Sequence, residues 1–347
     1  MKVFARVAAS VVAVLLFTSC SSASKVQSQE ASKAKSKNAA KVASPKDLKI
    51  AFFSSATNNT YLQAGIAGAK QAASEMGASV DVFDGKFSAQ EQFNQIQSAL
   101  TSDKYNAFVV EANDGNLLCD ILTKDAVQKG VMVSLINQPI CGRATKAGDQ
   151  LWQPGTVTFI GGQTLDVYQT WVRQIMSENP NGGNVAVVSG PDLGANTINL
   201  NEALKIMKQN PKFKIVANQK TDYSTPKGFD AAQTILQANP KLDILISNYS
   251  GMTQGVVEAV KAATRQGGVK VYDMGGDKWA INAVKTGDLA ESVIFLPKRE
   301  GYLGVKSLGD RVKGASVPKF INLTKSTTLP GTPFVTKKNV SQFSAEY

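Results

Sequence analysis

From Lys49 onward, short apolar runs alternate with longer amphipathic stretches, and this rhythm restricts the chain to one class of fold. Apolar runs occupy Lys49–Phe53, Val80–Phe83, Ala107–Val110 and Val131–Ile136, then Thr156–Ile160, Val185–Val188, Lys214–Val216, Ile244–Ile246 and Val269–Tyr272. Runs this short, rich in Val, Ile and Phe, read as strands buried on both faces. Helical patterns separate them at Leu62–Glu75, Ser88–Ser102, Asn116–Lys129, Asp166–Ser177, Ala195–Lys208, Pro226–Gln237, Thr253–Thr264 and Lys278–Lys285. Gly77 and Gly130 stand just beyond two of these, where a helix end needs a residue able to turn left-handed. Alternation of strand and helix implies right-handed βαβ units and parallel sheets. The polar break from Gly142 to Gly155 divides the series. The expected fold class is therefore α/β: two Rossmann-like lobes of parallel sheet flanked by helices, hinged around a central cleft.

A chain of 347 residues is long enough for two such cores. Its first 45 or so residues follow other rules. Lys2 and Arg6 flank the start of an apolar run from Val7 to Phe17, too short to span a bilayer but suited to the hydrophobic region of a secretory signal. Thr18-Ser19-Cys20 resembles a bacterial lipobox, which marks residues 1–20 as a lipoprotein signal segment and Cys20 as the lipidated residue. Residues 21–46 are rich in Ser, Ala and Lys and carry almost no large apolar side chain. They cannot bury enough surface to fold, and read as a disordered tether. The protein is thus expected outside the cytoplasm, on the membrane through an N-terminal lipid anchor.

A formal charge of +11 invites a nucleic-acid reading. Yet Lys2 and Arg6, with five lysines against Glu30 in residues 21–45, account for +6, which leaves +5 spread without basic runs. That is a solvated surface, and no nucleic-acid partner is expected. Histidine is absent, which excludes Ser-His-Asp triads, Cys-His pairs and His-ligated zinc. The three cysteines, Cys20, Cys119 and Cys141, are too few for a four-cysteine metal site, and neither metal nor cofactor is expected. GPDLGAN, at Gly190–Asn196, lacks the Lys-Ser/Thr ending of a phosphate loop and reads as a turn. With no histidine and no convincing carboxylate pair, enzymatic activity is not expected.

In open α/β sheets, ligands settle beyond the carboxyl ends of the strands. Those ends carry Asn58-Asn59-Thr60-Tyr61, Glu111-Ala112-Asn113-Asp114, Asn137-Gln138, Gly161-Gly162-Gln163, Asn248-Tyr249-Ser250 and Gly275-Gly276-Asp277. Any one of these can be a cap or a turn. Together they can hydrogen-bond a polyhydroxylated ligand while an aromatic ring covers its C–H face. Cys119 and Cys141 fall at the same end of the first lobe, and the oxidising exterior would let them form a disulfide.

With these residues in place, the sequence resembles the type I periplasmic-binding proteins, in the ribose- and monosaccharide-binding group that serves bacterial ABC importers. The resemblance covers about residues 47–325 and is carried by KIAFFSSATNNTYLQAGIAGAKQAASEMGASV, VVEANDGNLLCDILTKDAVQKGVMVSLINQPI, ILISNYSGMTQGVVEAVKAA and INAVKTGDLAESVIFLP. It implies a monomeric solute-binding protein that closes on a small ligand and docks with an ABC permease and its ATPase. It also implies an N-terminal lobe of residues 47–161 plus 296–322 and a C-terminal lobe of 162–295 plus 323–347. Asn59 falls at a hydroxyl-binding position, Tyr61 and Tyr223 at ring positions on opposite faces of the ligand, and Gln163 and Asn248 at amide positions. Asp277 or Asp273 can serve as the binding aspartate if the loop is shifted, because Gly275 occupies that position itself.

The departures bear on the ligand. Ile136 and Asn137 stand where ribose binders carry adjacent Asp and Arg, no arginine lies near Ile198, and Phe295 replaces a usual glutamine. Charge-assisted bonds are roughly twice as strong as neutral ones, so their loss points away from ribose. The implied ligand is neutral: another sugar, a polyol or a less hydroxylated metabolite. A protein that presents its ligand to a sensor or chemoreceptor would share this body. A repressor of the lactose type would need an N-terminal helix-turn-helix, whose place is taken here by the signal segment and tether.

Overall fold

A computed structural model of the chain describes residues 42–347; the signal segment, Cys20 and most of the tether lie outside the described residues. Strands β1 (Lys49–Ser54), β2 (Ser79–Asp84), β3 (Ala107–Val110), β4 (Met132–Ile136) and β5 (Thr158–Gly161) build a first sheet. A second contains β6 (Gly183–Ser189), β7 (Phe213–Lys220), β8 (Leu242–Ser247), β9 (Lys270–Gly275) and β10 (Glu291–Ile294). Then β11 (Phe320–Asn322) returns to the edge of the first sheet and β12 (Phe334–Thr336) to the edge of the second. The strand orders are β11-β5-β4-β3-β1-β2 and β12-β10-β9-β8-β6-β7, the same winding used twice. Every pairing is parallel except β10 with β12. The two α/β lobes expected from the sequence are therefore present, with the chain passing between the sheets after β5, β10 and β11.

Eight α-helices of eight residues or more cover the sheets among the described residues: α1 (Thr60–Met76), α2 (Ala89–Thr101), α3 (Leu165–Glu178), α4 (Ala195–Lys208), α5 (Thr225–Ala238), α6 (Ser250–Ala262), α7 (Lys278–Thr286) and α8 (Pro297–Val312). The period of two along β1 shows how the first sheet is sandwiched. Ala51 and Phe53 pack with Ile96 and Leu122 on one face, whereas Ile50 and Phe52 pack with Ala69, Ala73 and Leu308 on the other. In the second lobe Trp171 and Tyr168 are fully buried against the strands.

Local chemistry fixes the helix ends. The side chains of Asn59, Ser88, Ser224 and Asp277 cap α1, α2, α5 and α7, and Gly77 closes α1 at φ 67°. The expected helix over Asn116–Lys129 forms over 119–128, later than expected and with a π-type stretch inside it. Residues 116–118 are turn, and two helical residues at 119–120 lead into a π-type stretch at Ile121–Asp125 and an α turn at Ala126–Gln128. The reason is tertiary. A Cys119–Cys141 disulfide, with Cα atoms 4.9 Å apart, ties the segment to the loop after β4. The Gly115 carbonyl accepts from Cys141 N at 2.9 Å. A Cβ on Gly115 would stand 2.4 Å from the Pro139 carbonyl oxygen.

Helix α8 has no counterpart in the apolar periodicity, because glycines stand at its contacts. It lies across α1 with the two backbones nearly touching. A Cβ on Gly301 would come within 1.9 Å of the Gly65 carbonyl oxygen, and one on Gly68 within 1.9 Å of the Lys298 carbonyl oxygen. Gly304 lets the same helix settle on Val109 and Ile136. The glycines cost helix propensity, and burial against α1 offsets it. Gly301→Ala meets backbone that cannot swing aside, so it should lower stability by about 2 kcal/mol or more, read as a fall in the urea midpoint at unchanged m-value.

Candidate ligand-binding site

A cavity of about 150 Å³ lies between the lobes, roughly ten times the space one water needs. Its walls come from strand ends of both sheets. Ser55, Asn59 and Tyr61 follow β1, Glu111 and Asn113 follow β3, and Asn137 and Gln138 follow β4. Across the cleft, Pro191, Leu193 and Asn196 follow β6, Tyr223 follows β7, Asn248 and Tyr249 follow β8, and Phe295 follows β10. Parallel strands put their carboxyl ends on one side of each sheet, which is why turns far apart in sequence meet here.

A chain of amide bonds joins the lobes beside this cavity. Gln163, just after β5, donates through Nε2 to Tyr61 Oη at 3.1 Å and accepts from Asn196 Nδ2 at 3.3 Å, while its carbonyl accepts from Asn199 Nδ2 at 3.1 Å. Gln138 continues the link: its Oε1 accepts from Ala195 N at 2.7 Å and its Nε2 donates to Asn196 Oδ1 at 3.3 Å. The lobes are thus closed on each other.

Three cavity residues sit in the left-handed region of backbone space: Phe87 at φ 52°, Asn137 at φ 55° and Tyr223 at φ 66°. For bulky side chains this costs of order 1 kcal/mol each and persists only where surroundings hold it. Around Tyr223 the support is visible. Gly190 leaves room for the ring, since a Cβ there would stand 1.8 Å from Tyr223 Cζ. The Tyr249 ring meets Tyr223 edge to face at 5.8 Å, and Phe87 approaches it from the opposite lobe at 6.1 Å.

Glu111 is the one acidic side chain on the wall, and no lysine or arginine lines it. Its carboxylate accepts from Asn137 Nδ2 at 2.8 Å, and Ser55 Oγ and Gln92 Nε2 hold its backbone carbonyl at 3.0 and 2.8 Å. Burial pushes its pKa up to about 7, against the bonds from Asn137 and Ser55. Behind Tyr61 stands a second buried acid, Glu300 of α8, which accepts from the Tyr61 hydroxyl. Burial raises Glu300 well above the carboxylate range, despite the Tyr61 bond. Asp273 at the end of β9 is fully buried and accepts from the hydroxyls of Ser250, Thr253 and Ser292; burial still raises it to about 6.

Of the residues expected at the site, Asn59, Tyr61, Asn137, Gln163, Tyr223, Asn248 and Phe295 all line the cavity. Ile136 and Asp277 do not. Ile136 closes β4 with its side chain in the apolar layer under α8, so the chain turns its next residue, Asn137, to the cleft instead. Asp277 caps α7, accepting from Ala280 N at 2.7 Å. Asp273 is engaged below the surface by its three hydroxyls, so no aspartate of that loop reaches the cavity. Two expected groups carry structural bonds as well. Asn59 Oδ1 caps α1 through Leu62 N at 2.9 Å, and the Tyr61 hydroxyl is held by Glu300 and Gln163. Glu111, Asn196, Tyr249 and Phe87 line the cavity without having been singled out. Glu111 and Tyr249 stood in quoted strand ends, whereas Phe87 has no signal beyond a turn after β2.

Residues 50–316 match the periplasmic binding protein domain. The chain belongs to that family. Among relatives, a D-allose-binding periplasmic protein of Escherichia coli K12 is 26% identical over 258 residues, covering 72% of this chain and 80% of that one. A ribose import binding protein of Salmonella typhimurium is 26% identical over 233 residues, covering 61% of this chain and 76% of that one. A solved ABC transporter solute binding protein from Bacillus halodurans, with bound myo-inositol, superposes with a TM-score of 0.74 at 20% identity, covering 86% of this chain and 98% of that one. That likeness establishes a common fold. As a periplasmic binding protein the chain sits in a family of binders rather than catalysts.

The raised acids set a pH dependence. Between the unfolded pKa of a carboxylate and a higher folded one, the native state holds more protons, so stability falls as pH rises through that window. Glu111 and Asp273 contribute from about pH 4 to their folded values near 7 and 6, and Glu291, raised to about 8 by burial and by Glu178, extends the decline. At constant ionic strength the ligand-free protein should melt at a higher temperature at pH 5 than at pH 8, and a midpoint that climbs toward pH 8 contradicts this assignment.

Proposed function

We propose that this protein is the extracytoplasmic solute-binding component of an ABC transporter, and that its lobes close over one small sugar or polyol other than ribose. The observation that carries the reading is the cavity itself, enclosed between two lobes and walled by amides and aromatic rings from both. Amides exchange hydrogen bonds with hydroxyls in either direction, while rings cover C–H faces. The family and the sugar-named relatives support the same conclusion.

In this reading Tyr223 and Phe87 hold the ligand's apolar surface, and Asn137, Asn248 and Gln163 bind its polar edge. Tyr61 sets the Gln163 amide, and Phe295 closes the inner wall. Ribose is disfavoured because no arginine or lysine lines the cavity to give charge-assisted bonds to its hydroxyls. Lobe boundaries near residues 161, 295 and 322 make the three interlobe crossings the hinge. Cys20 carries a lipid and residues 21–46 tether a monomer to the membrane, where the closed form meets the permease and its ATPase.

A thermal-shift screen across hexoses, pentoses and cyclitols, followed by calorimetry, tests this. A ligand present at 100 times its Kd adds about 2.7 kcal/mol to stability. Tyr223→Ala should weaken the best ligand at least tenfold, and ribose should give no shift. Micromolar ribose binding, or no response to any sugar or polyol, would count against the proposal.

A further inference from the structure

The hydrogen-bonding polarity of the cleft is uneven, and this bears on what the ligand carries. On the first lobe, Glu111 and Asn137 stand side by side at the cavity wall, both about 5% exposed. The Glu111 carboxylate accepts from Asn137 Nδ2 and from the Ser55 backbone, and keeps lone pairs for a further donor. Asn137 Oδ1 is buried and without a donor. The wall there thus offers two neighbouring acceptors. The second lobe offers the opposite: Asn248, 1% exposed, accepts from Gly190 N through Oδ1, and its Nδ2 is a buried donor with no protein acceptor.

The charge is uneven as well. Glu111 has Glu300 as a buried acidic neighbour, and among the described residues neither takes part in an ion pair. Buried carboxylates are normally paired, because an isolated charge in a low-dielectric site is costly. An ammonium group has three donors and no acceptor, so it answers both the adjacent acceptors and the missing charge. A hydroxyl has a single proton and can serve only one of the two acceptors. The tyrosine and phenylalanine rings of the same cavity tolerate a cation against their faces.

We propose that the ligand is an amino sugar or amino polyol, whose protonated primary amine is received by Glu111 and Asn137 and whose hydroxyl or ring oxygen accepts from Asn248. This rests on the sugar-binding reading above and narrows it. It replaces the neutral ligand expected from the sequence with a cationic one, whose charge Glu111 balances inside the closed cleft. A cation next to Glu111 favours its ionised form, which burial alone opposes.

The test uses matched triplets by calorimetry on the purified protein: glucosamine, glucose and N-acetylglucosamine; galactosamine, galactose and N-acetylgalactosamine; and an amino-deoxy-inositol with myo-inositol and its N-acetyl form. In at least one triplet the free amine should bind tenfold or more tighter than both its hydroxyl and its N-acetyl partners. In Glu111→Gln, whose folding is checked by its melting curve, the ratio of amine to hydroxyl affinity should fall toward one. The inference is overturned if hydroxyl members match or exceed the amines in the unaltered protein, a result that leaves the sugar-binding reading standing. It is also overturned if the amine preference survives in Glu111→Gln. Failure of every member of all three triplets to bind also overturns the inference, and leaves the sugar reading to the wider screen of hexoses, pentoses and cyclitols.

Discussion

The side chain of Gln163 is the tie on which the cleft depends. It stands where the chain first leaves the first sheet, and both ends of its amide are engaged, one by Tyr61 and one by Asn196. Asn199 holds its backbone carbonyl, so the residue is fixed from the second lobe while its Nε2 reaches back to the first. Tyr61 in turn answers to Glu300 on α8, the helix that begins after the second crossing. One buried amide therefore connects two of the three crossings with the faces of the cavity. Buried polar groups of this kind add little net stability but penalise every arrangement that leaves them unpaired, which is how they select one geometry for the closed lobes.

Much of this was legible because strand and helix announce themselves by period. The runs at Lys49–Phe53 and Ala107–Val110 read as buried parallel strands, and Gly77 marks the end of α1 from sequence alone. What escaped was set by partners distant in the chain. Nothing local predicts that Gly301, Gly304 and Gly309 belong to a helix, since each is there to fit α1, the first sheet or Met76. The late start and π distortion of the helix expected at Asn116–Lys129 have the same origin, a disulfide and a close backbone contact made with residues 139–141.

The site divides along similar lines. A position just beyond a strand could be foreseen, and Asn137, Gln163, Tyr223 and Asn248 do reach the cavity. Which of two consecutive residues reaches it could not. Ile136 belongs to the apolar layer and Asn137 to the cleft, and their difference is one residue of strand phase followed by a left-handed turn. Glu111 was passed over because a lone carboxylate beside a strand resembles a surface charge until its burial is known. Its setting also departs from the expected pattern of paired aspartates and arginines, since the charge here lies on the wall with no cation beside it.

The edge strands carry a consequence for how the chain comes to be folded. Residues 320–322 complete the first sheet and 334–336 the second, so each lobe waits for a segment near the end of the sequence. A chain made from its N-terminus has both sheets short of an edge strand until residues 320–336 emerge. Helix α8, which must bury the glycine face of α1, also arrives late. Long-range closures of this kind are slow to form, because loop entropy must be met before the contacts exist. The nascent polypeptide thus remains incompletely folded until residues 320–336 appear, and the two lobes mature together rather than in turn.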